Sequence, residues 1–304
     1  MKKIIAAVSC LLFILLSPAV IADEFRPLPI DLTGGAPVDE KYYSNTNNVE
    51  LYEDPTIRVE YRRVQSREWE CTYYYAIITI RDASQLRTAS ADNRFVSNAK
   101  VPATTMAKRN NAVIAINGDY CAAFSGNKSQ NYILRQGQVY RDTVEPDLDM
   151  LMIDEDGDFH VIPRETPMVL MDKTMAGSKR VINAFQFGPA VVINGENVDD
   201  SIILDYSRSP EYAKPDQLAQ RMCIAQIDHL QYMVLCCARY GMTLPKFRDL
   251  AMSLAPCKTV YILDGGNSSQ MVFMNRKKNK VIEGQQNVRP ITDIIYFASA
   301  WFKN

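Results

Sequence analysis

Apolar and β-branched runs of roughly four to nine residues, separated by turn residues, recur through most of this chain, while long helical periodicities are scarce. Ile57-Arg58-Val59-Glu60-Tyr61 alternates with a period of two, and Thr72 to Ile80 is β-branched and aromatic; both read as strands. Leu134 to Tyr140 turns at Gln136-Gly137, and Met150 to Ile153 pairs naturally with Phe159 to Ile162. The turn between that pair, Asp154-Glu155-Asp156-Gly157-Asp158, is spaced like the start of a calcium loop but lacks the distal glutamate, so it reads as a plain hairpin turn. Phe187 to Ile193 ends at Asn194-Gly195, and Met222 to Ile227 faces Tyr232 to Ala238 across Asp228-His229. Helices are expected at about Pro102 to Asn110 and, capped by Thr243, at Leu244 to Leu254. Ala112 to Ile116, Val260 to Leu263 and Ile294 to Phe297 are short buried strands. With short turns outnumbering helical connections, the expected fold is α+β: a single domain with a mixed, largely antiparallel sheet and helices packed against it.

The chain begins Met-Lys2-Lys3, runs apolar from Ile4 to Leu16, breaks at Ser17-Pro18 and offers small residues up to Ala22. That pattern is a signal peptide over residues 1–22, short of the roughly 20 apolar residues that span a bilayer. The mature protein is therefore expected in the periplasm or secreted, with no stable membrane insertion. Residues 23–54 are rich in Pro, Asn and Gly and read as a linker or loosely docked arm, leaving 55–304 as the folded domain. With 34 basic against 35 acidic residues there is no positive excess to condense on nucleic acid, so any phosphate recognition must be local. Beyond Cys10 in the leader, Cys71, Cys121, Cys223, Cys236, Cys237 and Cys257 make disulfides available but match no zinc spacing. Cys236-Cys237 reads as a pair of small buried hydrophobes on a strand. His160 and His229 have no neighbouring Cys or His, His229 reads as a solvent-facing turn residue, and neither is assigned a role. No metal site and no cofactor is predicted, with a divalent cation left open.

Two segments place polar residues and glycines at the mouth of an apolar strand: Ile114-Ala115-Ile116-Asn117-Gly118-Asp119-Tyr120 and Ile262-Leu263-Asp264-Gly265-Gly266-Asn267-Ser268-Ser269-Gln270-Met271. Glycines there let backbone amides approach a ligand and cradle an anionic oxygen, and a carboxylate at a strand end is held rigidly. Either segment alone also fits an ordinary Asx-type turn.

Taken together and in order, these motifs resemble the phosphodiester glycosidases, a family that includes the N-acetylglucosamine-1-phosphodiester α-N-acetylglucosaminidase, or uncovering enzyme, and exported bacterial proteins labelled as exopolysaccharide-related. Asn117-Gly118-Asp119-Tyr120 meets the family's Asn-Gly-Gly/Asp-aromatic element, and Arg221-Met222-Cys223-Ile224-Ala225 meets its Arg-Thr-Ala-Ile-Gly strand more loosely. Leu263 to Met271 meets its Leu-Asp-Gly-Gly-Gly-Ser-x-x-Met signature, and Arg289-Pro290-Ile291 its closing Arg-x-Val. The resemblance runs from about residue 75 to the C-terminus. Asn267 stands where the family has a third glycine, a position Asn is expected to fill through a left-handed backbone. Ala225 replaces a glycine, and Met222-Cys223 a smaller, more polar pair.

The resemblance implies hydrolysis of a sugar-1-phosphodiester, a phosphodiester-hydrolase activity, in cell-envelope or exopolysaccharide metabolism. Asp264 is the first choice for the carboxylate near the anomeric carbon and Asp119 the second. Arg221 and Arg289 are expected to hold the phosphate through forked hydrogen bonds, with Asn117, Gly118, Gly265, Gly266, Ser268 and Ser269 lining the substrate. The alternative is a module that binds envelope polysaccharide in the same pocket without cleaving it. A serine-hydrolase triad has no support, since no Gly-x-Ser-x-Gly elbow occurs.

Overall fold

A computed structural model describes residues 25–119, 131–167, 171–206, 214–238, 241–279 and 289–303. The leader, Tyr120 and Cys121 lie outside the described residues. The largely antiparallel character expected from the turns is met, but the single mixed sheet is not. Every strand pairing among the described residues is antiparallel, and the strands divide into sheets of nine, six, five and two. Hairpins close antiparallel pairs with two to five residues, whereas parallel pairs need a long crossover that this chain rarely supplies.

The nine-stranded sheet is built around the hairpin Met222–Asp228 and Gln231–Cys237, flanked by Thr259–Leu263 on one side and Cys71–Ile80 on the other. Met222–Asp228, Gln231–Cys237 and Thr259–Leu263 are buried on both faces over most of their length, which is why they read as continuous apolar runs, whereas Ile57–Ser66 toward the edge keeps its alternation. Met222, Ile224, Tyr232, Val234 and Cys236 face one core, together with Ile114, Ile116, Phe273, Ile295 and Phe297 of the five-stranded sheet and Leu151 and Phe185 of the six-stranded sheet. Cys223, Ala225, Met233, Leu235 and Cys237 face the other, where the helix Leu244–Leu254 contributes Leu244, Phe247, Leu250 and Ala251. As expected, Thr243 caps that helix, its hydroxyl accepting from Lys246 N. The helix Ala103–Arg109 buries Ala103, Met106 and Ala107 in a third cluster with Ala115, Ile294 and Tyr296 of the five-stranded sheet.

The hairpin expected at Asp154–Asp158 is present. Asp154 Oδ1 accepts from the amides of Asp156 and Asp158 at 2.9 and 3.0 Å, and the Lys179 ammonium lies 2.7 Å from Asp156.

Residues 23–54 require a correction. From Phe25 onward this segment is docked, not a loose arm. Tyr43–Thr46 and Val49–Glu53 form a hairpin at the edge of the nine-stranded sheet, and Phe25–Arg26 pairs with Trp301–Phe302. The turn residues Asn47 and Asn48 adopt φ of 53° and 64°, the left-handed pair of a two-residue hairpin. All but one of the side chains of these two strands are exposed or only partly buried, so hydrophobic alternation carried little signal. Arg87, fully buried, fastens the segment by donating to the carbonyls of Pro29, Asp31 and Thr33 at 3.0, 3.0 and 2.8 Å. Replacing Arg87 with Leu strands these acceptors, so urea unfolding should register a loss of about 3 kcal/mol; an unchanged midpoint would mean that the segment contributes nothing to stability.

Candidate functional site

The two strand-end motifs meet where the chain changes sheets. Thr259–Leu263 belongs to the nine-stranded sheet, and Met271–Phe273 pairs with Ala112–Asn117 in the five-stranded sheet. Residues 264–270 are the crossover. Asn117 fastens it: its amide nitrogen donates to the carbonyls of Asp264 (2.8 Å) and Gly118 (3.1 Å), and its oxygen accepts from Gln270 N (3.0 Å).

Against this junction lies a cleft of about 250 Å3, whose wall includes Lys214, Arg221, Asp264, Gly265, Gly266 and Arg289. Asp264 and Arg289 also border a recess of about 10 Å3, together with Asn117, Gly118, Ser268 and Asp293. Asp264 is only partly buried as a residue, yet enough protein surrounds its carboxyl that desolvation raises its pKa, while the Ser268 hydroxyl and the Arg289 charge pull it down and Asp293 pushes it up.

Asp119 stands behind the cleft rather than in its wall. Fully buried, it pairs with Arg135 Nη2 at 2.5 Å and accepts from Gln186 N at 3.0 Å and Asn131 Nδ2 at 3.4 Å. Burial, opposed by Arg135 and reinforced by the like charge of Asp293, raises its pKa to about 7. Arg135 also donates to the carbonyls of Leu134 and Ala184 and lies 4.1 Å from the centroid of the Phe185 ring.

Arg221 reaches the cleft wall, but its guanidinium is occupied by main-chain carbonyls: Nε donates to Met242 at 3.0 Å, and Nη2 to Lys214 and Gln217 at 2.8 and 2.7 Å. Burial lowers its pKa to about 10. Ser269 is fully buried beside the Cys236 thiol rather than in the cleft.

The expectation of a cradle of glycine amides also changes. Gly118 N donates to Asp293 O at 3.1 Å and Gly266 N to Gln220 O at 2.9 Å, so both amides already serve the main chain. Asn267 sits in a 3-10 turn with no positive φ; the left-handed residue of the motif is Gly266, at 55°.

Asp293 and Arg135 were missed from sequence. Asp293 opens the buried strand Asp293–Ala298 just as Asp264 follows Thr259–Leu263, so the same strand-end signal was present there. Arg135 ends the fully buried strand Ile133–Arg135, where a lone charge demands a partner.

Among the described residues no group of three or more His, Cys, Asp or Glu side chains is arranged to hold a metal. His160 bonds Asp154 at 2.8 Å and His229 bonds Asp158 at 3.2 Å, and neither lines the cleft. Cys71, Cys223, Cys236, Cys237 and Cys257 are buried free thiols.

A sheet-rich fold with carboxylates and an arginine at a strand-end cleft defines the class. A family model described as phosphodiester glycosidase matches residues 110–298, which hold the whole junction, and the chain belongs to that family. Among solved structures, the catalytic domain of zebrafish N-acetylglucosamine-1-phosphodiester alpha-N-acetylglucosaminidase, auto-inhibited by its pro-peptide, is similar over 85% of this chain and 86% of its own, with 13% identity and a TM-score of 0.62. A hypothetical protein from Synechocystis is similar over 83% of this chain and 64% of its own, with 13% identity and a TM-score of 0.51. At these identities the likeness establishes the fold alone. No curated protein matches the chain.

Changing Arg135 to Met removes the cation from two buried carboxylates and should cost about 3–5 kcal/mol. The pH dependence has a definite sign. Asp119's folded pKa lies above its ordinary 3.8, so the stability tied to its protonation is complete below pH 4 and lost as pH rises through about 7. Without Arg135 that folded value climbs further, so chemical denaturation should find a larger deficit at pH 8 than at pH 5; an equal deficit would contradict the pairing.

Proposed function

We propose that the protein is an exported glycosidase that hydrolyses a sugar-1-phosphodiester, such as an α-N-acetylglucosamine-1-phosphodiester, to free sugar and phosphomonoester. Export follows from the leader pattern, and the periplasm or extracellular space, with a role in envelope or exopolysaccharide metabolism, is the setting. The observation that carries the reading is that Asp264 and Arg289 share the wall between cleft and recess in a chain of the phosphodiester glycosidase family. A carboxylate and a guanidinium side by side suit a substrate that develops positive charge at its anomeric carbon while releasing a phosphate. A cleft of about 250 Å3 is of small-ligand size, near the lower end of the roughly 300–1,000 Å3 common for such sites.

In this reading Asp264 stabilises the oxocarbenium-like state and Arg289 takes the phosphate oxygens, with the Ser268 hydroxyl orienting Asp264. The phosphomonoester leaves readily, so strong acid assistance is unnecessary. Arg221 contributes charge and shape to the wall while its N–H groups hold the 214–217 and 242 carbonyls in position. Asp119 and Asn117 position the strand ends.

Mature protein offered a panel of α-linked sugar-1-phosphodiesters should release free sugar, and Asp264→Asn should slow release by roughly 10²–10⁴-fold with little change in stability. Since burial raises the Asp264 pKa and the ionised form is the active one, kcat/KM should fall at low pH along a limb lying above pH 3.8. Saturable binding of every panel member without release, by folded protein, would favour the polysaccharide-binding module instead.

A further inference from the structure

The recess beside the cleft contains a carboxylate oxygen that receives no hydrogen bond from the described residues. Asp293 Oδ1 accepts from the Thr292 hydroxyl at 2.9 Å, but Oδ2 has no hydrogen-bond partner among the described residues, although its side chain is only 2% exposed. A buried, unpartnered carboxylate oxygen is costly unless it has a task or a hidden partner. Arg135 Nη2 lies 3.8 Å from it, which supplies compensating charge without filling the oxygen's acceptor directions. Gly118 lets the carboxylate approach the end of the Ala112–Asn117 strand, since a Cβ there would lie 1.9 Å from Oδ2. The recess of about 10 Å3 has room for one water and is lined on its polar side by Lys100, Asn117, Asp264, Ser268, Arg289 and Asp293. Asp119, by contrast, has both oxygens engaged and lines neither cavity.

We propose that Asp293 is the catalytic base of this site, taking a proton from the recess water as that water attacks the anomeric carbon. The inference rests on the sugar-1-phosphodiester reading above. One O–H bond of the water breaks and its proton passes to Asp293 Oδ2, while the water oxygen bonds to the anomeric carbon. The bond from that carbon to the bridging phosphate oxygen breaks, and its electron pair leaves on the phosphomonoester dianion. Asp293 then returns the proton to solvent. Asp264 stays ionised throughout, facing the developing positive charge, so the two carboxylates have separate roles and no acid is needed on the leaving side.

The test uses the full mature chain and an α-N-acetylglucosamine-1-phosphodiester. Wild-type protein should turn over. Asp293→Asn should lower kcat by roughly 10²–10⁴-fold, move KM by less than about threefold, and regain turnover with sodium azide, yielding the glycosyl azide. Wild-type turnover together with an Asp293→Asn rate within threefold would overturn the base assignment alone; no wild-type turnover would overturn the activity and this assignment with it. Should circular dichroism show Asp293→Asn unfolded, Asp293→Ala should show the same loss of kcat and the same rescue by azide, and a rate within threefold of wild type would overturn the proposal.

Discussion

The side-chain amide of Asn117 joins two sheets, and the geometry of the site depends on that junction. Where the chain leaves Leu263 for Met271, its backbone groups lie off both ladders and still require partners. Asn117 serves three at once, donating to two carbonyls and accepting from Gln270 N. An aspartate in its place could accept but not donate, and would set a charge against the Asp264 and Gly118 carbonyl oxygens. The backbone of Asp264 is thus tied to the end of a strand in the opposite sheet, which fixes where its carboxyl points.

Beneath that junction lies a second tier of charge. Arg135 sits between Asp119 and Asp293 and against the face of Phe185, with its side chain withdrawn from solvent. Buried pairs of this kind add little net stability over apolar packing, because desolvation of both ions offsets their attraction. Their value here is placement. Asp119 ties Arg135 to the main chain at Gln186, Arg135 stands within reach of Asp293, and Asp293 accepts from Gly118 through its carbonyl. The two motif ends are therefore braced from below by ions and from the side by an amide. With 34 basic and 35 acidic residues in the chain, the field around the cleft is set by these few groups and not by bulk charge.

Much of this was legible in the sequence. The strand runs, the hairpins at Gln136-Gly137, Asp154–Asp158 and Asp228-His229, and the helix after Thr243 are local signals, and the structure contains them. The hairpin at Asn47-Asn48 escaped because its strands lie at a sheet edge, where partial burial erases the period-two pattern. The division into several sheets escaped because strand order depends on contacts far apart in the chain. For the site, the motifs identified Asp264, Asn117 and their glycines, while Arg135 and Asp293 resemble isolated charges until folding sets them 3.8 Å apart. Arg221 shows the opposite failure: an arginine at a strand start looks like an anion ligand, and only its carbonyl partners reveal how much of its donor capacity is already committed.

The glycines of the two motifs sharpen the same lesson about what a motif means. From sequence they suggest close backbone approach to an anion, yet at two of the three positions the close neighbour is the protein itself. A Cβ on Gly265 would lie 2.6 Å from the Gln220 carbonyl oxygen, and one on Gly118 would strike the Asp293 carboxyl; only Gly266 needs its left-handed φ of 55° and has open space beside it. Gly118 and Gly265 therefore serve to bring a carboxylate and a neighbouring strand into range, and the amides of Gly118 and Gly266 are held by main-chain oxygens. These two amides therefore form no backbone nest for an anion. Arg289 is the guanidinium at the shared wall of cleft and recess, and a chain with Asn267 in place of a third glycine can keep the same construction because the position lies in a 3-10 turn that any small polar residue can adopt.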